Sequence, residues 1–547
     1  MPHPISTAIQ YSTLILGSIF LTLELLWTIA RSCAVDTTTA MREVTRLGST
    51  RASGRISGTA IIAGGSVSGL TTAIVCSKFF DKVIVVEPDS MAEVKRTRVA
   101  QAEQIHGLQA VTLCILRAII PYFDDRVHKF GGRILESNAQ LQLGATNVKF
   151  APGSLPDTVF ISRLALEQML RAYVQEISNI QAIQGAVVGI VPDVTGHRIE
   201  KVLVQLKGDS NPTTELEAAM LADCSGPASI GLKLLEKTQG AGWGPYPKIS
   251  YDPKISYATA LVPVVDRLRE SLPIFTRETG DYSNFEKLGY LKCIIPHAEQ
   301  DDRIVCIIRA DDNNLMCGIG GWDLSPDARP HAFSDYLQQV DSIWQNASNG
   351  ASSEGNSNRM AVMDSLHVIE DALAEDGVVP QFKFCRMGPC YKIDYSTAPK
   401  PSNFVAIGDS FLRVNPTFGQ GVSKALVDIA SLNGALLDTK LLNARGWCLP
   451  DTFSTEMIER QYPRVMHMWD STKDSDYGRR STDCVTGESS DLGAFGRRYW
   501  RGVVRIASQD KAVAADIIKS LQLIAPPLDL LRPSLFVRAM WSVMRGT

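Results

Sequence analysis

A chain of 547 residues, 45% hydrophobic and 21% charged, has material for two or three globular domains. A formal net charge of −3 supplies no basic field for gripping a phosphate backbone, which excludes nucleic acid as an expected partner. The 11 cysteines run from Cys33 to Cys484, odd in number and without a paired ligand spacing, so reduced thiols are expected and neither a disulfide framework nor a metal site.

Residues 9–30 are almost wholly apolar or weakly polar, with Glu24 as the one charge. About 22 residues make a helix of about 33 Å, enough to cross a bilayer. A secretory signal is the rival reading, but no Lys or Arg precedes the run and it is longer than a signal core. A helix packed on the globule also stays open, because Glu24 is costly in lipid. Arg31, Arg42, Arg46, Arg51 and Arg55 follow against Asp36 and Glu43, so the positive-inside rule puts the body on the cytosolic face of a membrane, expected to be the endoplasmic reticulum, as a single-pass protein. Residues 1–56 are thus expected to stand apart from the globule as anchor and linker.

Next comes a β-prone run at 59–63, then Gly64, Gly65, Ser66, Val67, Ser68 and Gly69, a helical pattern over 70–80, a second apolar strand at 82–86, and Glu87. This is a β-α-β unit carrying the dinucleotide fingerprint G-x-G-x-x-G with serine in its middle place. The glycines bring main-chain N–H groups and the helix N-terminus against a pyrophosphate, and the Ser66 hydroxyl could donate to a phosphate oxygen. Glu87, about 20 residues beyond the turn, is placed to accept adenosine ribose hydroxyls.

Residues 290–299 and 303–322 predict consecutive antiparallel strands of a β-rich layer, and 346–358, rich in Asn, Ser and Gly, predicts an exposed polar loop whose Asn346 sequon stays unmodified in the cytosol. Residues 404–432 read as strand, Gly408-Asp409, loop, Gly419-Gln420-Gly421 and helix. A nicotinamide cofactor needs no such second element, whereas FAD is long enough to reach it. Asp409 can accept a ribityl hydroxyl, and the helix opening at Gly419–Gly421 turns its positive end to the flavin pyrimidine edge. After Leu437 the pattern is mostly helical, and 531–546 mixes bulky apolar residues with Arg, read as packed helix with membrane contact as the alternative.

The pairing of GGSVSGL and Glu87 with GDSFLRVNPTFGQG, together with DCSG at 223–226, resembles the FAD-dependent monooxygenases of the p-hydroxybenzoate hydroxylase fold, in a branch near prenyl reductases and natural-product tailoring oxidases. Residues 95–108, 162–171 and 521–533 resemble that branch's basic His-containing segment, Ser-Arg junction and closing helices. The resemblance implies an α/β fold: a Rossmann-like FAD-binding domain (57–239 and 386–445), an inserted β-rich substrate domain (240–385) and C-terminal helices (446–547), behind the transmembrane helix. It implies FAD contacts at Gly64, Gly65, Ser66, Gly69, Glu87, Arg163, Asp223, Gly408, Asp409, Pro416, Gly419, Gln420 and Gly421. His106 and Arg163 become active-site candidates, the first as a proton relay, the second as a charge near flavin or substrate. NADPH or NADH would reduce the flavin. O2 would add at its C4a position and give a hydroperoxide, from which one oxygen would pass to a lipophilic polyketide, terpenoid or prenylated aromatic. DCSG stands where the hydroxylases carry Asp-Gly, so Asp223 is equally readable as a structural strand-end carboxylate. The W-x-W-x-I-P of flavin-dependent halogenases is absent, the nearest stretch being GGWDLSP at 320–326. A flavin reductase or dehydrogenase acting on an alkene, and a flavin-binding membrane protein without turnover, stay open as alternatives.

Overall fold

The computed structural model describes residues 4–51, 54–93, 101–148, 150–151, 153–208, 213–238, 240–276, 284–348, 353–443 and 447–545. The basic part of the 95–108 segment, through residue 100, lies outside the described residues, as do 349–352.

Strands Ile56–Ala63 and Phe80–Glu87 are buried on both faces over their C-terminal halves. Such runs suit the centre of a parallel sheet covered by helices on either side. The sheet runs Phe404–Ala406, Met220–Asp223, Ile56–Ala63, Phe80–Glu87, Ile180–Pro192, all parallel, then turns antiparallel through Ile199–Leu206 and Thr214–Glu217. Helix Val67–Cys76 completes the expected β-α-β unit. Because the strands are parallel, the ends at Ala63, Glu87, Asp223 and Ala406 share one rim, where ligands of such sheets bind.

A second sheet runs Lys383–Arg386, Ile255–Pro263, Asn314–Trp322, Arg303–Arg309, Tyr290–Ile295, Leu141–Leu143, Thr146–Asn147. The two predicted segments form its antiparallel centre. The domain boundary expected at 240 does not describe this layer, because Leu141–Leu143, from the earlier segment, pairs in parallel with Tyr290–Ile295. Alternation gives the sheet two faces. Ala258, Val305, Ile307 and Cys317 pack outward under helices Phe333–Ser348 and Ser353–Glu375, through Tyr336, Trp344 and Leu366. Tyr257, Thr259, Cys306 and Gly318 face inward. The predicted 346–358 loop is correspondingly shorter, since the two helices reach Ser348 and start at Ser353.

The C-terminal region is helical, as expected: Phe453–Asp476, Ala494–Ala507, Lys511–Leu521 and Pro533–Met544. Helix Pro4–Thr38 precedes the first sheet. Among the described residues its stretch Gly17–Thr38 is the one long and apolar enough to cross a membrane, with mean hydropathy 1.4.

The expectation that residues 1–56 stand apart from the globule needs correction. Glu24, the charge that left a packed helix open, is not without a partner: its Oε1 accepts from Ser534 N at 3.2 Å, at the start of helix Pro533–Met544. Trp27 Nε1 donates to Leu528 O at 3.2 Å, and Arg31 forks onto Asp529 at 2.6 and 2.8 Å. Nor does the linker through residue 56 stand apart. Glu43 is 2% exposed and accepts from Arg464 at 3.1 Å and Arg460 at 3.3 Å. Arg46 pairs with Asp438, and Arg51 donates to the carbonyls of Leu436 and Thr439. The arginines read as loose positive-inside charges are, at 46 and 51, ties within the fold, because a carboxylate buried with cationic partners is far less costly than one buried alone.

Candidate active site

The fingerprint turn holds its glycines for steric reasons. Gly64 sits at φ +116°, and a Cβ there would meet Cys224 O at 2.5 Å. A Cβ on Gly69 would overlap the Gly64 carbonyl oxygen. Gly65 N donates to Glu87 Oε2 at 2.6 Å while Oε1 accepts from Asp89 N at 3.0 Å, which fixes the acid across the turn. The first intrahelical bond runs from Leu70 N to Ser66 O, so the amides before it face the rim without a helical acceptor.

Ser66 departs from expectation. Its hydroxyl donates to Glu167 Oε1 at 2.5 Å and accepts from Arg163 Nη2 at 3.0 Å. Arg163, the first residue of helix Arg163–Gln175, also reaches Glu167 at 3.2 Å and His106 Nε2 at 3.2 Å. A serine in place of glycine therefore ties the turn to the neighbouring helix.

His106 is a neutral imidazole here. Burial and the adjacent Arg163 charge push its pKa down to about 3. Because Arg163 donates to Nε2, the proton sits on Nδ1, 2.8 Å from Gln104 O. His106 thus has one nitrogen on a main-chain carbonyl and the other against the Arg163 guanidinium. Next to it, Gly107 touches the second glycine turn: a Cβ there would lie 3.6 Å from Gly419 Cα.

The Gly-Asp segment meets the fingerprint helix directly. Gly408, at φ +70°, would place a Cβ 3.6 Å from Ser68 Cβ. Its N–H donates to Asp428 Oδ2 at 2.9 Å, and Asp428 pairs with Lys424 at 3.3 Å, both fully buried. Tyr391 Oη donates to the Asp409 carbonyl at 2.8 Å. The Asp409 carboxylate itself is 28% exposed, with Arg413 Nε 3.9 Å away.

Asp223 stands differently. It is fully buried, accepting from Ser225 N at 3.0 Å, Ser225 Oγ at 2.6 Å, Ser410 Oγ at 3.1 Å and Gly231 N at 2.8 Å. Burial raises its pKa against those four donors. All four donors come from the chain itself, the arrangement that the strand-end reading of DCSG describes.

Beyond Asp409 the chain makes the turn Pro416–Phe418, then Gly419 at φ +66°, then helix Gly421–Asp438 with Gln420 at its cap. Pro416, Gly419 and Gln420 border a cavity of about 1150 Å³ whose opposite wall includes Tyr257, Thr259 and Gly318. That volume suits a flavin ring and a substrate together. Two partners here had no signal in the sequence. Gln109 donates to Phe418 O at 3.3 Å and accepts from Ser423. Asn415 accepts from Thr417 N at 2.9 Å while its amide donates to the buried Asp476 at 2.7 Å. Asp476 also accepts from Trp322 at 2.8 Å and Tyr251 at 2.8 Å, so one carboxylate joins the glycine turn to the second sheet.

FAD fits what is present. Gln420 Oε1 is buried without a hydrogen-bond partner, nothing approaches within 4 Å of a Cβ placed on Gly421, and the Asp409 carboxylate has an acceptor edge available. These are groups that a flavin ring and ribityl chain would complete.

No family model and no curated protein matches the chain. Among solved structures it is similar to the tetrameric form of 2-methyl-3-hydroxypyridine-5-carboxylic acid oxygenase, at 14% identity over 78% of this chain and 91% of that one, with a TM-score of 0.46. It is also similar to the Diels-Alderase PyrE3 of pyrroindomycin biosynthesis, at 12% identity over 85% and 80%, TM-score 0.49. The flavin-dependent brominase Bmp2 matches at 13% identity over 90% of this chain and all of that one, TM-score 0.50, and at that identity the likeness is one of fold: the chain is built on the fold of a flavin-dependent enzyme over nine tenths of its length.

Proposed function

We propose that the chain is a membrane-associated FAD-dependent monooxygenase that hydroxylates or epoxidises a lipophilic small molecule of natural-product type, reduced by NADPH or NADH. One observation carries this reading: the Gly408-Asp409 segment lies against the fingerprint helix at Ser68, and the glycine turn that follows it borders a cavity roofed by a separate sheet. Glu87 and the Gly64–Gly69 turn would hold the adenosine and pyrophosphate end, Asp409 the ribityl chain, and Pro416–Gly421 the ring. Bound there, the flavin would supply activation of O2 for transfer of one oxygen atom to the substrate.

The chain's own part is placement and shielding. Arg163, fixed by Ser66, Glu167 and His106, sets a cation beside the pyrophosphate turn, where it neutralises charge that the buried rim would otherwise not tolerate. The amides opening helix Gly421–Asp438 carry positive partial charge, which would favour a flavin held with its pyrimidine edge toward them. The apolar part of the cavity wall, with Ile105, Tyr257, Ile319 and Phe418, would shield a flavin held there from water.

The test is ¹⁸O₂ turnover of purified full-length protein with NADPH and a panel of polyketide, terpenoid and prenylated aromatic substrates. One ¹⁸O atom per product, with substrate-dependent O2 uptake, supports the reading. NADPH oxidation that reduces an alkene without ¹⁸O in the product would make the protein a reductase.

A further inference from the structure

Helix Pro533–Met544 has two unlike faces. Leu535 and Ala539 are buried, and the Ala539 carbonyl lies against Gly502 of helix Ala494–Ala507. On the other side Phe536, Val537, Trp541 and Met544 are exposed, Val537 by 61% and Trp541 by 54%. An apolar face of this kind, rimmed by polar residues, marks an interaction surface.

Its position identifies the occupant. The helix starts where the N-terminal helix docks, through Glu24 on Ser534 N and Arg31 on Asp529. That N-terminal helix leaves Leu21, Leu25 and Ile29 exposed along a stretch long enough to cross a bilayer, and none of the described residues covers them. The two apolar surfaces, from opposite ends of the chain, therefore adjoin. Basic side chains edge the face: Arg538 pairs with Asp510 at 2.9 Å, and Arg545 lies 4.6 Å over the Trp541 ring. Arg at the edge with Trp between water and apolar surface is the composition of a helix lying in a lipid interface.

The joint between the helices is the turn Pro527–Leu531. Leu528 O and Asp529 hold the N-terminal helix, while Pro527 and Leu530 line the 1150 Å³ cavity. One five-residue turn thus supplies both a piece of the cavity wall and a piece of the helix dock.

We propose that helix Pro533–Met544 lies in the bilayer interface beside the N-terminal helix, and that the Pro527–Leu531 turn is the portal through which a lipophilic substrate passes between lipid and cavity. The portal rests on the functional reading above; the placement of the helix does not.

Full-length, flavin-loaded protein is reconstituted in phosphatidylcholine–phosphatidylserine vesicles whose acyl chains carry bromine, a short-range quencher of tryptophan emission. Trp27 and Trp541 are the tryptophans on the docking surface, so Trp541→Phe should lower the quenched fraction about twofold. An unchanged fraction overturns the interfacial placement and leaves the face to a protein partner. The portal is read with 1-bromododecane dissolved in unbrominated vesicles. Trp500 lines the cavity, so the alkane should quench it, and Trp500→Phe should remove that component. Alkane quenching that is the same in wild type and Trp500→Phe overturns the portal. Flavin absorbance is recorded on the same samples: its absence defeats the oxygenase reading, while both quenching results still decide this proposal.

Discussion

Asp409→Ala separates a ligand-binding carboxylate from a structural one. In the protein without ligand, the Asp409 side chain gains little: Arg413 is 3.9 Å away, the carboxylate is partly solvated, and the Tyr391 bond goes to the main-chain carbonyl, which alanine keeps. An exposed pair of this geometry contributes at most about 1 kcal/mol. With FAD bound, a ribityl hydroxyl donating to the ionised carboxylate would contribute about 1.5–3 kcal/mol, so its loss weakens FAD binding by roughly 10- to 150-fold. Asp223→Ala is the opposite case. It strips an acceptor from four buried donors and should cost about 3 kcal/mol or more of stability before any cofactor is added. The assay is a pair of measurements on each variant: urea unfolding of the flavin-free protein, and FAD affinity by quenching of flavin fluorescence. The reasoning is refuted if Asp409→Ala binds FAD within twofold of wild type, or if it destabilises the flavin-free protein as much as Asp223→Ala does.

Gly69→Ala puts a methyl group into the Gly64 carbonyl and should cost about 1–3 kcal/mol in urea unfolding, with loss of bound flavin absorbance; retention of both would show that the turn relaxes freely. Deleting residues 1–38 keeps Glu43 but leaves Asp529, 8% exposed, without Arg31, and should lower the unfolding midpoint of the body in detergent by less than the longer deletion does. Deleting 1–56 strands the buried Arg464 without its carboxylate and should cost about 3–5 kcal/mol; equal midpoints for the two truncations would contradict the burial of that network. Burial raises the Asp476 pKa to about 7, above its unfolded value, so the native state holds the proton more tightly. That contribution is complete in acid and is lost as pH rises toward 7, with a limiting slope of about 1.4 kcal/mol per pH unit. Asp476→Asn should abolish this slope in a pH series of urea melts, and a parallel pair of curves would refute it.

The β-α-β unit, Glu87 and the Gly-Asp segment were legible because each is a local pattern. Strand period, glycine spacing and a strand-end acid are all set within about thirty residues, and the structure keeps them together. What stayed hidden is pairing over distance. Glu24 looks like a misplaced charge until Ser534, 510 residues on, supplies a donor for it. Glu43 looks like linker until Arg464 and Arg460 enclose it. Leu141–Leu143 is too short to announce a strand, and only its edge pairing with Tyr290–Ile295 assigns it to the second sheet. Ser66 was correctly placed in the turn, but no local rule could show that its hydroxyl would find Glu167 and Arg163 before any phosphate. In DCSG the aspartate could be read either way, and one of its donors, Ser410, sits on a segment nearly two hundred residues later.

The bond from Arg31 to Asp529 spans 498 positions of chain. At a synthesis rate of about 5–20 residues per second, its two halves leave the ribosome on the order of half a minute to well over a minute apart. Throughout that interval the N-terminal helix exists without the surface that will later receive Glu24, Trp27 and Arg31. The apolar helix is therefore made well before the turn that receives it, and the contact between the two closes only once both are out.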